Sequence, residues 1–383
     1  MGAQGRGDEG PSSWCHAQAI AVAGTAAYRL NPMRTPDYST MEPALAVLAG
    51  YGPDLRNGMT SHAPMAVEAL AAMGRADAVL PWLEHYAQGM LPRPVERERI
   101  GRDDWRSALG REDRVADWSA FFAAELAEAP WRDVLARWAA LLAPGICASA
   151  THGVIRVGHA VRSLEDAETP ARVRELGDGL GYWAAAYQVL PTATNGTVSA
   201  APAHAAIARV PIVPPARRTF SGTIVSSLVG LDEFPDFAPV IRMLDVEQEP
   251  GRVVSDMAET FARVYLANAR DVLTAIVFIH GVTSVAALRS ILPYVPESAA
   301  RDVLRYAWQS SCALYATFGS DLPAMGAGDA PVIARETLID TAAAHGDEHV
   351  IKFTEACLRE DGIRPSPVFA AAAHHAAGIL PAP

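Results

Sequence analysis

The chain has 383 residues, 50 % hydrophobic and 20 % charged, with 43 acidic side chains against 32 basic ones and a formal charge of −11. This balance excludes a nucleic-acid binder, which needs a basic face to release phosphate counterions, and the apolar fraction excludes disorder except at the ends. The cysteines Cys15, Cys147, Cys312 and Cys357 form no CxxC pair, which excludes a disulfide scaffold or zinc ribbon and suits a reducing cytoplasm.

Residues 1–40 read as a loosely ordered leader, rich in Gly, Ala and Ser, too polar and acidic at its start for a signal peptide. Its GRGDEG at Gly5–Gly10 has the letters of GxGxxG. Without a strand before it and a helix after it, such a stretch makes no phosphate nest. From Glu42 onward, Ala, Leu, Arg and Glu recur at three-to-four spacing, broken by Pro and Gly. The pattern predicts helices over Pro64–Met73, Ala76–Gln88, Asp117–Leu126, Trp131–Leu142, Gly145–Leu164 and Pro170–Val189.

Pro191–Pro250 is rich in Pro and Thr, with short β-branched pieces such as Thr223–Val229. It predicts an irregular stretch over 191–250 with room for a small hairpin, placed as a flap over a pocket. A second helical set follows over Val253–Asn268, Asp271–Gly281, Ser284–Leu292, Ser298–Phe318, Pro331–His345 and Glu348–Arg359. The apolar run Leu273–Leu288 is short for a membrane span and carries His280. The fold class is therefore all-α, mainly helical, with one domain over 41–375 and a tail over 376–383. Strands and helices do not alternate, so a doubly wound nucleotide fold is not expected. No heptad or edge strand advertises a subunit interface.

Of the 32 lysine-plus-arginine residues one is a lysine, Lys352. An ammonium can lose its proton, act as a nucleophile or be carboxylated, and a guanidinium cannot. In HGDEHVIKFTEACLRE, His349 and Lys352 fall at i and i+3, on one helical face beside apolar Val350, Ile351 and Phe353. Burial there lowers a lysine pKa and frees the neutral amine to add carbon dioxide. An exposed pair salt-bridged to Glu348 fits the same letters. His280, inside TAIVFIHGVTSVAAL, suits either a hydrogen-bonded core residue or a ligand. His152 and His159 share a helical face but stand about 10 Å apart along the axis, too far to share one ion comfortably. His62 opens a helix whose first turn accepts Pro64. The aromatics Trp183, Tyr187, Phe220, Trp308 and Tyr315 serve either as pocket wall or as plain core.

Five blocks together resemble the questin oxidase-like family: SHAPMAVEALAAMGR (Ser61–Arg75), HGVIRVGHAVRSL (His152–Leu164), FIHGVTSVAALR (Phe278–Arg289), YAWQSSCALYATF (Tyr306–Phe318) and GDEHVIKFTEACLRE (Gly346–Glu360). Their order and spacing agree from about residue 40 to 370. The resemblance implies a largely helical oxygenase of aromatic polyketides such as anthraquinones, inserting oxygen or cleaving a ring without a flavin motif. It further implies a non-haem iron held by four histidines and a carboxylated lysine, which carry over to His62, His152, His280, His349 and Lys352. His159 stands where fungal relatives carry tyrosine, and is assigned to the pocket or to support of the ligands. Ser61 departs from the asparagine expected before the first histidine.

Imidazoles with one anionic oxygen suit Fe(II), and admit zinc or manganese. Glu68, Asp347 and Glu348 are candidates, by nearness in sequence, to orient the imidazoles. The expected partners are an aromatic polyketide and O2, with no nucleic acid and no membrane. Rival readings are a cofactor-independent or NAD(P)H-assisted oxygenase, a non-catalytic polyketide-binding protein and a metal-dependent hydrolase.

Overall fold

The computed structural model describes residues 1–2, 35–193, 198–220, 222–323 and 333–383. Most of the predicted leader, with its GRGDEG stretch, Cys15 and His16, lies outside the described residues. Arg34–Pro383 forms one compact unit. It opens with α1 (Met41–Leu48), β1 (Tyr51–Leu55), α2 (Ala63–Ala72), α3 (Ala76–Tyr86) and β2 (Met90–Pro92). Then come α4 (Val115–Glu128), α5 (Trp131–Leu142), α6 (His152–Asp166) and α7 (Pro170–Ala185). Two short helices, α8 (Ala203–Ala206) and α9 (Ile224–Leu228), precede the long α10 (Pro250–Asn268), α11 (Val272–Ile291) and α12 (Glu297–Phe318). The chain closes with α13 (Arg335–His345), α14 (Glu348–Ile363) and α15 (Pro367–Ile379).

The mainly helical expectation holds, and the two strands pair antiparallel far from the stretch where a hairpin was predicted. Within 191–250 the described residues form short helices and a single bridge between Ala201 and Leu244. Thr223–Val229 is helical despite its β-branched letters. The Thr223 side chain accepts from Ser226 N while the Ser226 hydroxyl accepts from Thr223 N, and this capping box outweighs the branching. The segment packs chiefly along α10 and α12: Trp308 Nε1 donates to the Val240 carbonyl at 3.0 Å, and Val213 N to the Ala316 carbonyl at 2.8 Å.

The predicted break within the α11 sequence is absent, and Val272–Ile291 is one continuous helix. Asp271 caps it through Thr274, and apolar burial on all sides outweighs the roughly 1 kcal/mol cost of Gly281 in a helix interior. Val272–Tyr294 is long and apolar enough to cross a membrane by composition, but 89 % of that window is buried inside the fold. It is the core helix. The reverse error occurs before α6, predicted to start at Gly145. There Ser149, Ala150 and Thr151 all take positive φ, of 46°, 53° and 75°, and the helix begins only at His152.

Candidate metal centre

The centre is assembled from four helices. His62 is the residue on which α2 starts, with Pro64 in its first turn. Beside it, the Ser61 hydroxyl accepts from Ala63 N at 3.3 Å. His152 opens α6, and His280 lies midway along α11. Asp347 caps α14, accepting from His349 N at 2.9 Å and Val350 N at 3.0 Å, which sets His349 and Lys352 in the first turns of that helix. Helix α6 can lie against α11 because Gly158 has no side chain: a Cβ there would meet the Ala287 Cβ at 2.7 Å.

These placements converge. His152 Nε2 lies 2.6 Å from His62 Nε2 and 3.1 Å from His280 Nε2. The His349 ring centroid is 4.4 Å from that of His62 and 5.5 Å from that of His280. Lys352 Nζ lies 3.5 Å from His280 Nε2. All five residues are buried, Lys352 completely.

The hydrogen bonds around the rings show what this cluster fits. A carbonyl oxygen only accepts. His152 Nδ1–H therefore donates to the Ser149 carbonyl, and His280 Nδ1–H donates to the Ile276 carbonyl at 2.7 Å. In the neutral rings both Nε2 atoms then carry lone pairs, and these face one another with no proton to share. Nδ1 of His62 and of His349 are also buried without a hydrogen-bond partner. Lone pairs gathered in a dry space are the donor set of a cation. His62, His152 and His280 can hold a metal ion, and His62, Glu348 and His349 form a second, overlapping group close enough to do so. Metal–nitrogen bonds of about 2.0–2.1 Å put neighbouring ligand atoms about 3 Å apart, the scale of the observed contacts.

The electrostatics agree. Burial, joined by the charge of Lys352, holds the His62, His152 and His280 imidazoles well below the usual histidine pKa, so they stay neutral and able to ligate. Burial also brings the Lys352 amine down to about 7, against the opposing pull of Glu348 and Asp347.

A family model described as Questin oxidase-like matches residues 59–172. Over that stretch, under a third of its length, the chain is similar to the questin oxidase-like family. The matched stretch contains His62 and His152, and the fold brings His280, His349 and Lys352 to them from outside it. No curated protein matches the chain.

Around this centre, Glu348 and Asp347 stand beside the imidazoles. Glu348 Oε1 is 3.6 Å from His62 Nδ1, and Asp347 Oδ1 is 3.6 Å from His349 Nδ1. Glu68 takes a different partner: its Oε2 accepts from His159 Nδ1 at 2.6 Å, two helical turns along α6 from His152. Arg162 bridges Glu68 to Glu355, and Tyr38 OH donates to Glu68 at 2.6 Å. Burial alone would raise the Glu68 carboxyl, but Arg162 and the His159 hydrogen bond hold it far below the usual range. This buried network ties together α2, α6 and α14, three of the four helices that carry the centre.

Trp183, Trp308 and Tyr315 are core residues with their polar atoms spent on backbone carbonyls, and Phe220 is exposed. A polar cleft of about 660 Å³ whose walls include His204, Asp256, Arg289 and Arg364 touches none of the five central residues. An aromatic side chain that periodicity did not single out also touches the centre: Tyr86 OH accepts from His62 N at 3.0 Å, and its ring stacks on Trp82 at 4.6 Å. Four-residue spacing from Trp82 to Tyr86 was the available signal.

Proposed function

We propose that this protein is an oxygenase of an aromatic polyketide, of anthraquinone, anthrone or hydroquinone type, acting through a non-haem iron held by His62, His152, His280, His349 and a carboxylated Lys352. The observation that carries the proposal is the meeting of three imidazole Nε2 atoms beside the amine of the chain's one lysine. Iron bound by this donor set would supply Lewis acidity and a redox couple for the reaction of dioxygen with an electron-rich ring.

The chain's own part follows from its chemistry. An ammonium at Lys352 would repel a divalent cation. With a pKa of about 7, the neutral amine is available near neutrality to attack carbon dioxide. The nitrogen–carbon bond forms, one N–H proton leaves to solvent, and the side chain becomes an anionic carbamate with oxygen donors. The Ser149 and Ile276 carbonyls keep Nδ1–H of His152 and His280 turned away from the centre, so that both present Nε2. Near-complete burial of the ligands excludes bulk water and strengthens each interaction within the site.

The test is metal analysis of protein purified without added metal, followed by anaerobic Fe(II) loading and assay with a reduced anthraquinone and O2. About one iron per chain and oxygen-dependent turnover are expected. Turnover that persists under chelation favours the cofactor-free or NAD(P)H-assisted reading. Tight binding of the aromatic without turnover favours a carrier, and zinc or manganese in place of iron overturns the metal assignment.

A further inference from the structure

Immediately before His152, three consecutive residues bearing side chains, Ser149, Ala150 and Thr151, occupy the left-handed region. L-residues avoid this conformation because Cβ crowds the backbone, and runs of it outside glycine persist only where the surroundings enforce them. All three are buried. The enforcing contacts are visible. Ser149 Oγ lies 2.7 Å from Tyr182 OH, Tyr182 OH lies 2.8 Å from Thr60 Oγ1, and Thr60 Oγ1 lies 3.1 Å from Ser149 Oγ. Each hydroxyl of this closed triangle can donate to one neighbour and accept from the other, so all three are satisfied without water. The triangle joins the segment before His62, the turn before His152 and helix α7.

The turn has a consequence at the centre. It points the Ser149 carbonyl at His152 Nδ1, while Thr151 Oγ1 donates to the His280 carbonyl at 3.4 Å. We infer that Thr60, Tyr182 and Ser149 are positioning residues: their hydroxyl triangle clamps Ser149–Thr151 in the left-handed turn that fixes which nitrogen of His152 faces the centre. The inference rests on the metal-centre reading for its purpose, but the ring orientation it describes exists with or without an ion. Tyr182 itself touches no ligand ring; it acts through the turn.

The test pairs Tyr182→Phe with a rescue. Phenylalanine keeps the ring and opens the triangle, so the turn relaxes and His152 loses its fixed tautomer. Adding Ala150→Gly makes the left-handed conformation easy without the clamp. Two readouts are used: 15N shifts of His152 in the metal-free protein, and affinity for Co(II) by visible titration. Wild-type protein should show His152 protonated on Nδ1. Tyr182→Phe should show mixed tautomers and bind Co(II) about 10–100-fold more weakly, the range for loss of support to a histidine ligand. The double variant should recover most of both. A Tyr182→Phe protein with wild-type tautomer and affinity overturns the inference, as does failure of the glycine to restore them. If Tyr182→Phe does not fold, Thr60→Val and Ser149→Ala open the same triangle at smaller side chains, and the same two outcomes judge it. If wild-type protein binds no Co(II), the metal-centre reading falls, while the tautomer measurement still decides this one.

Discussion

Lys352 Nζ lies 3.5 Å from His280 Nε2 in a place that solvent does not reach. An amine so placed has no water to stabilise its charge, and its pKa of about 7 is the result. The contact makes the lysine part of the imidazole cluster and removes it from the ordinary run of surface cations.

Carboxylation should therefore depend on pH and on carbon dioxide. Below pH about 7 the amine is protonated and cannot add CO2; above it the carbamate forms and metal affinity rises. Protein prepared with 13C-bicarbonate should show a carbamate signal by 13C NMR that fades as pH falls. Lys352→Arg keeps a cation but removes the reaction, and should lose iron and activity together. Full iron content and activity in that variant sink the lysine assignment.

The metal-free protein should be acid-labile earlier than its carboxylates dictate. His62, His152 and His280 have folded-state pKa values well below 6.5, so the unfolded chain takes up protons first. Stability is present above that value and drains as pH falls through it, at up to about 1.4 kcal/mol per group for each pH unit. Lys352 adds an alkaline limb of the same sign, because its folded pKa of about 7 lies below the ordinary 10.5. Urea unfolding between pH 5 and 9 measures both limbs. A flat profile from 7 down to 5 contradicts the neutral-imidazole picture.

Glu68→Ala should destabilise by about 3–5 kcal/mol, the cost of leaving one member of a buried ion pair without its partner. Arg162 would keep Glu355 as its carboxylate partner among the described residues, and Tyr38 and His159 would lose their acceptor. Chemical denaturation checks the magnitude. A change under 1 kcal/mol would mean that the network is wet and weak.

Gly158→Ala tests how α6 meets α11. The added methyl would press on Ala287, 2.7 Å from its Cβ and 2.8 Å from its carbonyl oxygen. Overpacking of this kind costs about 1–3 kcal/mol, and a shift of α6 against α11 to relieve it would disturb the spacing of His152 and His280, which those helices carry. Weaker Co(II) binding together with a lower unfolding midpoint is the expected pair of results.

Much of this was legible in the letters and some was not. Trp131–Leu142 has the predicted limits because a regular apolar stripe is bounded by prolines. The His349–Lys352 pairing follows from helix geometry alone. The strand Tyr51–Leu55 escaped because it contains Gly52 and Pro53, which read as turn residues. The left-handed turn at Ser149–Thr151 has no glycine or proline to announce it, since its cause lies in Thr60 and Tyr182, remote in sequence. The partner of Glu68 was not legible for the same reason: it is packing of α2 on α6, remote in sequence, that brings this carboxylate to His159.

The solitary, enclosed lysine also makes the folded chain almost blank to amine chemistry. Acylating labels, amine cross-linkers and enzymes that acetylate or ubiquitinate lysine find no side-chain target on its surface, because the one available in the sequence is fully buried with its amine against His280. Any adduct recovered on the peptide containing Lys352 would thus report that the centre had opened, giving a direct chemical clock for breathing of the four-helix junction.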